Sequence, residues 1–325
     1  MTEPLLSLNG LVVSFHTPNG VVQAVRGVDL DVMPGEMVGV VGESGSGKSV
    51  TFLGMLGLLP STARISGSAT VNGLQMVGAP NKLMRTIRGR QVAMIFQDPL
   101  SALNPVYRIG DQIVEMIRTH QDMAKAAAHA HAVELLDMVG IPQPSTRARQ
   151  YPHEFSGGMR QRAMIAMALA NDPDVLIADE PTTALDVTVQ AQILEVFQRI
   201  QREMNKAVVM ITHDLGVIAR VADRVQVMYA GRVVERASID DLFATPSHPY
   251  TVGLLHSLPR LGQVRLQSIP GSPPNMLQPP PGCGFASRCT HAQPRCEAAL
   301  PELEAFGSSY TACVRASELF SEVAL

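Results

Sequence analysis

Cysteine is missing from the first 282 residues of this 325-residue chain; Cys283, Cys289, Cys296 and Cys313 all fall in the last 43. That excludes a disulfide framework for the body, and in a cytosolic protein a cluster confined to the tail points to metal before disulfides. Long apolar runs are missing too. None approaches the ~18–20 residues that cross a bilayer, and the longest, such as Ala163 to Ala170, read as core. Charge of one sign is lacking: a net charge of −3 leaves no basic footprint for nucleic acid. Met1-Thr2-Glu3-Pro4 lacks the basic start of a secretory signal. The expectation is a cytoplasmic chain of about two domains that reaches a membrane only through partners. There is no internal repeat.

What is present centres on Gly42-Glu43-Ser44-Gly45-Ser46-Gly47-Lys48-Ser49, the one match to the phosphate-loop pattern G-x-x-x-x-G-K-[ST]. The apolar run Met37 to Val41 before it reads as a buried strand, and Val50 to Leu56 after it as the start of a helix. In that setting, Gly42, Ser44, Gly45, Ser46 and Gly47 let backbone N–H groups close around phosphate oxygens at a helix N-terminus. Lys48 would reach the β- and γ-phosphates, and Ser49 would ligate Mg²⁺. Thr51, just beyond, is counted with the nucleotide-binding residues.

Residues 5–35 alternate apolar and polar around Pro18-Asn19-Gly20 and predict a small antiparallel strand system. Buried strands are expected at Val92 to Phe96, Val175 to Ala178, Ala207 to Ile211 and Val225 to Tyr229. Helix is expected over about 108–170, including Ile109 to Met123 and Ala124 to Val139, stopped by Gly140-Ile141-Pro142. Strands alternating with helices imply a parallel α/β sheet. The fold class is therefore α/β: a phosphate-loop ATPase core of a parallel sheet plus a small antiparallel sheet, with an inserted helical subdomain at about 100–170. The expected division is 1–245 for the nucleotide-binding domain and 246–325 for a cysteine-bearing C-terminal extension. Within the extension the composition changes, with six prolines between Pro270 and Pro281 ahead of the cysteine cluster.

Val175-Leu176-Ile177-Ala178-Asp179-Glu180 is a strand ending in two carboxylates, placed by such a sheet beside the phosphate loop. Asp179 would hold Mg²⁺ and Glu180 would polarise the attacking water. Ser156-Gly157-Gly158 opens an apolar helix and forms a second backbone anion cradle. One nucleotide needs one cradle, so the second points to a nucleotide on another chain.

In order along the chain, the phosphate loop, Gln97, Ser156-Gly157-Gly158, Asp179-Glu180, Ala184-Leu185-Asp186 and His213 resemble the ATP-binding-cassette (ABC) ATPases over residues about 5–245. The resemblance implies that Phe15 stacks on adenine, that Gln97 approaches Mg²⁺ and senses the transport domain, and that Asp186 crosses a dimer interface. It also implies that His213 contacts the γ-phosphate. Lys48, Gln97, Glu180 and His213 become the catalytic set, and Ser156, Gly157 and Gly158 touch a partner's ATP. Phe155 and Met159 depart from the commonest signature form, which has Leu and Gln there.

Further stretches, Gln97 to Pro105, Tyr151 to Arg162, His248-Pro249-Tyr250 and Ile269 to Pro274, together with the four-cysteine tail, resemble the bacterial peptide-importer branch, most nearly its D-type ATP-binding subunits. That implies a peripheral protein on the cytoplasmic face of the cell membrane. It implies partnership with an F-type ATPase, two permeases and an extracytoplasmic peptide-binding protein. Sister importers of nickel or glutathione share most of these motifs, and a soluble ABC ATPase outside transport is the remaining alternative. The cysteine spacing, C-x5-C-x6-C-x16-C, lacks the close pairs of zinc ribbons. Likeness to the importer tail favours a [4Fe–4S] cluster on Cys283, Cys289, Cys296 and Cys313; zinc and free thiols are the alternatives, and His291 a spare ligand.

Overall fold

The computed structural model describes residues 3–258 and 268–320. Strands β1 (Leu6–Thr17) and β2 (Gly20–Val32) pair antiparallel across the Pro18-Asn19 turn, as their alternation predicts. β3 (Met37–Val41) is buried throughout and runs through the phosphate loop into α1 (Lys48–Met55). β4 (Ala63–Val71), β5 (Leu74–Gln75) and α2 (Asn81–Ile87) follow. β4 pairs with β1 to give a four-stranded sheet, β2-β1-β4-β5. Its sequence, ARISGSATV, hides the strand, because Gly67 and two serines break the apolar alternation.

After β6 (Val92–Ile95) come α3 (Pro99–Ala102), α4 (Ile109–His120), α5 (Lys125–Met138), α6 (Pro144–Arg147) and α7 (Gly157–Leu169). Helix α4 buries Ile109, Ile113, Val114 and Ile117, the i, i+4, i+5, i+8 stripe of a core-facing helix. Residues 121–124 separate α4 from α5 where the sequence suggested near-continuous helix, with Gln121 in extended backbone. These helices share one apolar core with the sheet, through Ile113, Leu136, Ala163 and Ile165 on their side.

The remaining core strands are β7 (Val175–Asp179), β8 (Ala207–Thr212), β9 (Arg224–Tyr229) and β10 (Arg232–Ser238). Helices α8 (Val187–Met204) and α9 (Leu215–Val221) connect them, and α10 (Ile239–Ala244) and α11 (Pro249–His256) come after. β6, β7, β8, β3 and β9 run parallel in that order. Alternate residues enter different cores: Met37 and Val41 face the helical side, Val38 and Val40 the antiparallel sheet. Burial on both faces is why these strands read as unbroken apolar runs.

The C-terminal extension contributes α12 (Pro294–Ala298), β11 (Glu304–Phe306), β12 (Ser309–Thr311) and α13 (Ala316–Phe320). β12 pairs with β10 and β11 with β12, so the extension carries the main sheet to eight strands. Phe285 packs on Tyr229 and Tyr250 at centroid distances of 5.4 and 5.3 Å. Beneath this contact the buried Glu235 carboxylate accepts from Ser247 N (2.7 Å), Ser247 Oγ (3.0 Å) and His248 N (2.9 Å), which replace its lost water. No helix among the described residues is long and apolar enough to cross a membrane.

Candidate nucleotide site

The carboxyl ends of β3, β7 and β8 open on a cleft of about 740 Å³, within the range that takes a cofactor-sized ligand. Its floor is the phosphate loop. Gly47 sits at φ 101°, and a Cβ there would lie 2.6 Å from Ala24 O; one on Gly42 would lie 2.2 Å from Met228 O. Only glycine lets the loop approach its supporting strands this closely. No side chain caps α1 at Gly47 and no acid lies in its first turn, so its first N–H groups are left for an anion.

Lys48 Nζ donates to Gly42 O (2.7 Å) and Glu43 O (3.0 Å), both neutral acceptors. Burial holds its pKa below the usual ammonium value, against the pull of Glu180, Asp179 and Glu43. A buried cation so poorly compensated is the feature a polyphosphate would relieve. Ser49 Oγ donates to Asp179 Oδ1 at 2.7 Å. Burial raises the Asp179 carboxyl above its ordinary range, and the Ser49 bond offsets this only partly. A hydroxyl and a carboxylate together are hard oxygen donors of the kind Mg²⁺ takes beside phosphate.

Glu180 follows β7 at φ 47°, a left-handed backbone unusual for a non-glycine residue. Its carboxylate is held by three side chains: Gln97 Nε2 and Thr183 Oγ1 donate to Oε2 at 3.0 and 2.9 Å, and His213 Nδ1 lies 3.1 Å from Oε1. His213 is aimed by the turn after β8, where Asp214 Oδ1 caps α9 by accepting from Gly216 N (2.7 Å). The result is a carboxylate of fixed direction at the mouth of an anion-binding cleft.

Of the residues singled out in the sequence, Ser44, Gly45, Ser46, Gly47, Lys48, Ser49, Gln97, Glu180 and His213 line this cleft together. Asp179 joins through Ser49. Gly42 and Thr51 lie behind the wall, Thr51 Oγ1 donating back to Gly47 O (2.9 Å). Phe15 is half-buried on β1, outside the cleft lining. Ser156, Gly157 and Asp186 also lie outside it. Ser156 and Gly157 are exposed at the start of α7, where Ser156 Oγ accepts from Met159 N (3.3 Å). Gly158 follows, close against Val189 of α8. Asp186 caps α8 by accepting from Val189 N (3.0 Å). Sequence reasoning missed Glu43, Thr183, Leu254, Ser257, Ser268 and Ile269, all of which line the cleft. Thr183 could have been found from its place three residues after Glu180; Leu254, Ser257, Ser268 and Ile269 arrive by tertiary folding and leave no local signal.

The four cysteines converge on one small cavity of about 20 Å³, lined also by Phe285, His248 and His291. Among the described residues, however, no group of three or more His, Cys, Asp or Glu side chains is arranged to hold a metal ion. Burial raises the Cys283 and Cys289 thiols above their ordinary range and pushes Cys313 up to about 11. The described geometry thus gives four neighbouring sulfurs and does not give the ligand set that [4Fe–4S] or zinc requires.

Comparison with known proteins agrees with this geometry. Residues 25–183 match the family described as ABC transporter, and residues 234–296 match the oligopeptide/dipeptide transporter C-terminal region. The oligopeptide transport ATP-binding protein OppD of Salmonella typhimurium is 52% identical over 304 residues, 93% of this chain and 90% of its own. The dipeptide transport ATP-binding protein DppD of Bacillus subtilis is 51% identical over 313 residues, 95% of this chain and 93% of its own. Among solved structures, the dimeric bacterial ABC transporter cassette MJ0796 superposes with a TM-score of 0.65 at 27% identity, covering 72% of this chain and 98% of that one. The same cassette in a post-hydrolysis state with ADP and Pi gives 0.65 at 26% identity.

Proposed function

The chain belongs to the ABC transporter ATP-binding proteins, and from that membership we propose that it is the ATP-hydrolysing subunit of a membrane importer of oligopeptides or dipeptides. One observation carries the hydrolytic half: the Glu180 carboxylate fixed by Gln97, Thr183 and His213 at the mouth of the phosphate-loop cleft. The peptide half rests on the names of the relatives and on the matched C-terminal region.

MgATP supplies the phosphoanhydride to be broken and the cation that neutralises charge on it. In this reading Lys48 and the N–H groups of the loop and α1 bind its phosphates. Ser49 and Asp179 hold the cation, with Gln97 near it. Glu180 orients the attacking water and takes its proton, and His213 keeps that carboxylate aimed. Catalysis by these groups is mainly positioning and charge neutralisation. Phe15 is the proposed adenine contact. The partners are two membrane permeases, a second, F-type ATPase and an extracytoplasmic peptide-binding protein, with this chain peripheral on the cytoplasmic face. Uptake tests the reading directly: an amino-acid auxotroph carrying this chain grows on a peptide source, and Glu180→Gln abolishes that growth. Growth undiminished by the substitution would refute it.

The signature Ser156 to Gly158, exposed at Ser156 and Gly157, is proposed to serve ATP seated on the partner's phosphate loop, with Asp186 at the same interface. Its exposure, away from this chain's own cleft, supports that arrangement. Ser156→Arg then lowers hydrolysis at the partner's loop by about 10²-fold, the cost of losing an anion-stabilising donor. Vanadate trapping of labelled nucleotide on each ATPase reads the two sites separately, and loss confined to this chain's own loop would contradict the arrangement.

For the tail, the proposal is a structural metal on Cys283, Cys289, Cys296 and Cys313, iron–sulfur ahead of zinc. Convergence of the four thiols on one cavity supports it; the lack of a formed ligand group weighs against it. Anaerobically purified protein is expected to carry bound metal and, for an iron–sulfur cluster, thiolate–iron absorption in the visible. Metal-free protein overturns the assignment.

A further inference from the structure

Glu43, the only acid in the phosphate loop, has every polar group committed. Its N–H donates to Tyr250 Oη at 2.8 Å. Its carbonyl accepts from Ser46 N (3.2 Å) and from the phosphate-binding Lys48 Nζ (3.0 Å). Its carboxylate receives the fork of Arg288, Nη1 to Oε2 at 2.6 Å and Nη2 to Oε1 at 3.0 Å. Arg288 lies 245 residues away, in the turn Ala286–Arg288 between Cys283 and Cys289.

Arg288 is equally committed. Its side chain is 4% exposed. Beyond the two bonds to Glu43, Nη1 donates to Tyr229 Oη (3.1 Å), Nη2 to Ile269 O (3.2 Å) and Nε to Pro270 O (2.8 Å). A guanidinium has five N–H donors, and here each has an acceptor. The bond to Glu43 raises the Arg288 pKa, so it stays charged throughout. One side chain therefore ties together the phosphate loop, the proline-rich strap whose Ile269 lines the cleft, and the cysteine-bearing tail.

We infer that Arg288 is a positioning residue of the nucleotide site: through its fork on Glu43, the C-terminal extension holds the phosphate loop in its binding shape and cancels the one carboxylate that the loop itself carries. The inference rests on the cleft being an ATP site. Two physical effects follow. Without Arg288 the Glu43 carboxylate is an unpaired negative charge next to an anion site, which repels nucleotide. Lysine in its place keeps a charge and loses the planar five-donor fork that meets both Glu43 carboxylate oxygens at once.

The test is titration of the full-length chain with a fluorescent ATP analogue and Mg²⁺. Wild-type chain binds; failure of the wild type to bind would sink the ATP-site reading and leave Arg288 aside. Arg288→Met is expected to weaken affinity about tenfold, and Glu43→Gln with Arg288→Met to recover to within about threefold of wild type, because the unpaired charge is gone. In the assembled transporter, Arg288→Met raises KM for ATP about tenfold and leaves kcat within about twofold, a split that a lower folded fraction would not produce. Should Arg288→Met fail to fold, Arg288→Lys carries the test, with affinity about threefold weaker. Wild-type affinity in Arg288→Met or Arg288→Lys overturns the inference, as does a double variant no better than Arg288→Met.

Discussion

Glu180→Gln is expected to lower ATP turnover by about 10²–10⁴ while ATP affinity stays within about threefold of wild type. The size follows from what the substitution removes. Glutamine keeps the volume and one acceptor oxygen, so Gln97 and Thr183, which both donate to Oε2, retain a partner. It loses the negative charge that takes a proton from water and that His213 faces at 3.1 Å. The left-handed backbone at φ 47° is unchanged, because both side chains branch beyond Cβ and meet the same backbone restriction. None of the groups proposed to bind phosphate is touched, hence the intact affinity. Phosphate release at saturating ATP, set beside equilibrium nucleotide binding, separates the two quantities. Normal turnover in this variant would remove Glu180 from the chemistry.

Lys48→Ala is expected to do the reverse: ATP affinity falls by about 10–100-fold, the worth of one or two charge-assisted hydrogen bonds. The nucleotide-free chain should unfold within a few degrees of wild type, roughly the shift that ~1 kcal/mol produces in a protein this size. The reason is electrostatic. Lys48 is buried with only neutral acceptors at bonding distance, and burial already depresses its pKa. Removing an under-compensated cation relieves a desolvation cost as well as deleting hydrogen bonds. Thermal unfolding without nucleotide and a binding isotherm with it measure the two effects. A large loss of stability with unchanged affinity would mean that Lys48 is structural.

Much of this site is legible because its parts are local. A phosphate loop between a strand and a helix occupies consecutive positions, and parallel strands buried on both faces stand out as apolar runs, as β3, β7 and β8 do. Carboxylates at a strand end then fall beside the loop by topology alone. What escaped has equally physical reasons. β4 carries Gly and Ser where alternation would be read, and β11 and β12 have three residues each, too few for any period. The break between α4 and α5 has no proline or glycine to mark it. Residues brought to the cleft from the C-terminal extension, Ile269 and, one contact away, Arg288, depend on chain reversal across some two hundred residues. The cysteines show the opposite case: their clustering is plain in the sequence, and the described geometry collects them without forming a ligand set.

The most direct measurement is ATP hydrolysis by this chain assembled with its native membrane partners, with and without peptide-loaded binding protein. The account predicts stimulation by peptide that is lost in Glu180→Gln. Hydrolysis indifferent to peptides and answering instead to nickel or glutathione would contradict peptide import and assign the same ATPase machinery to a different cargo.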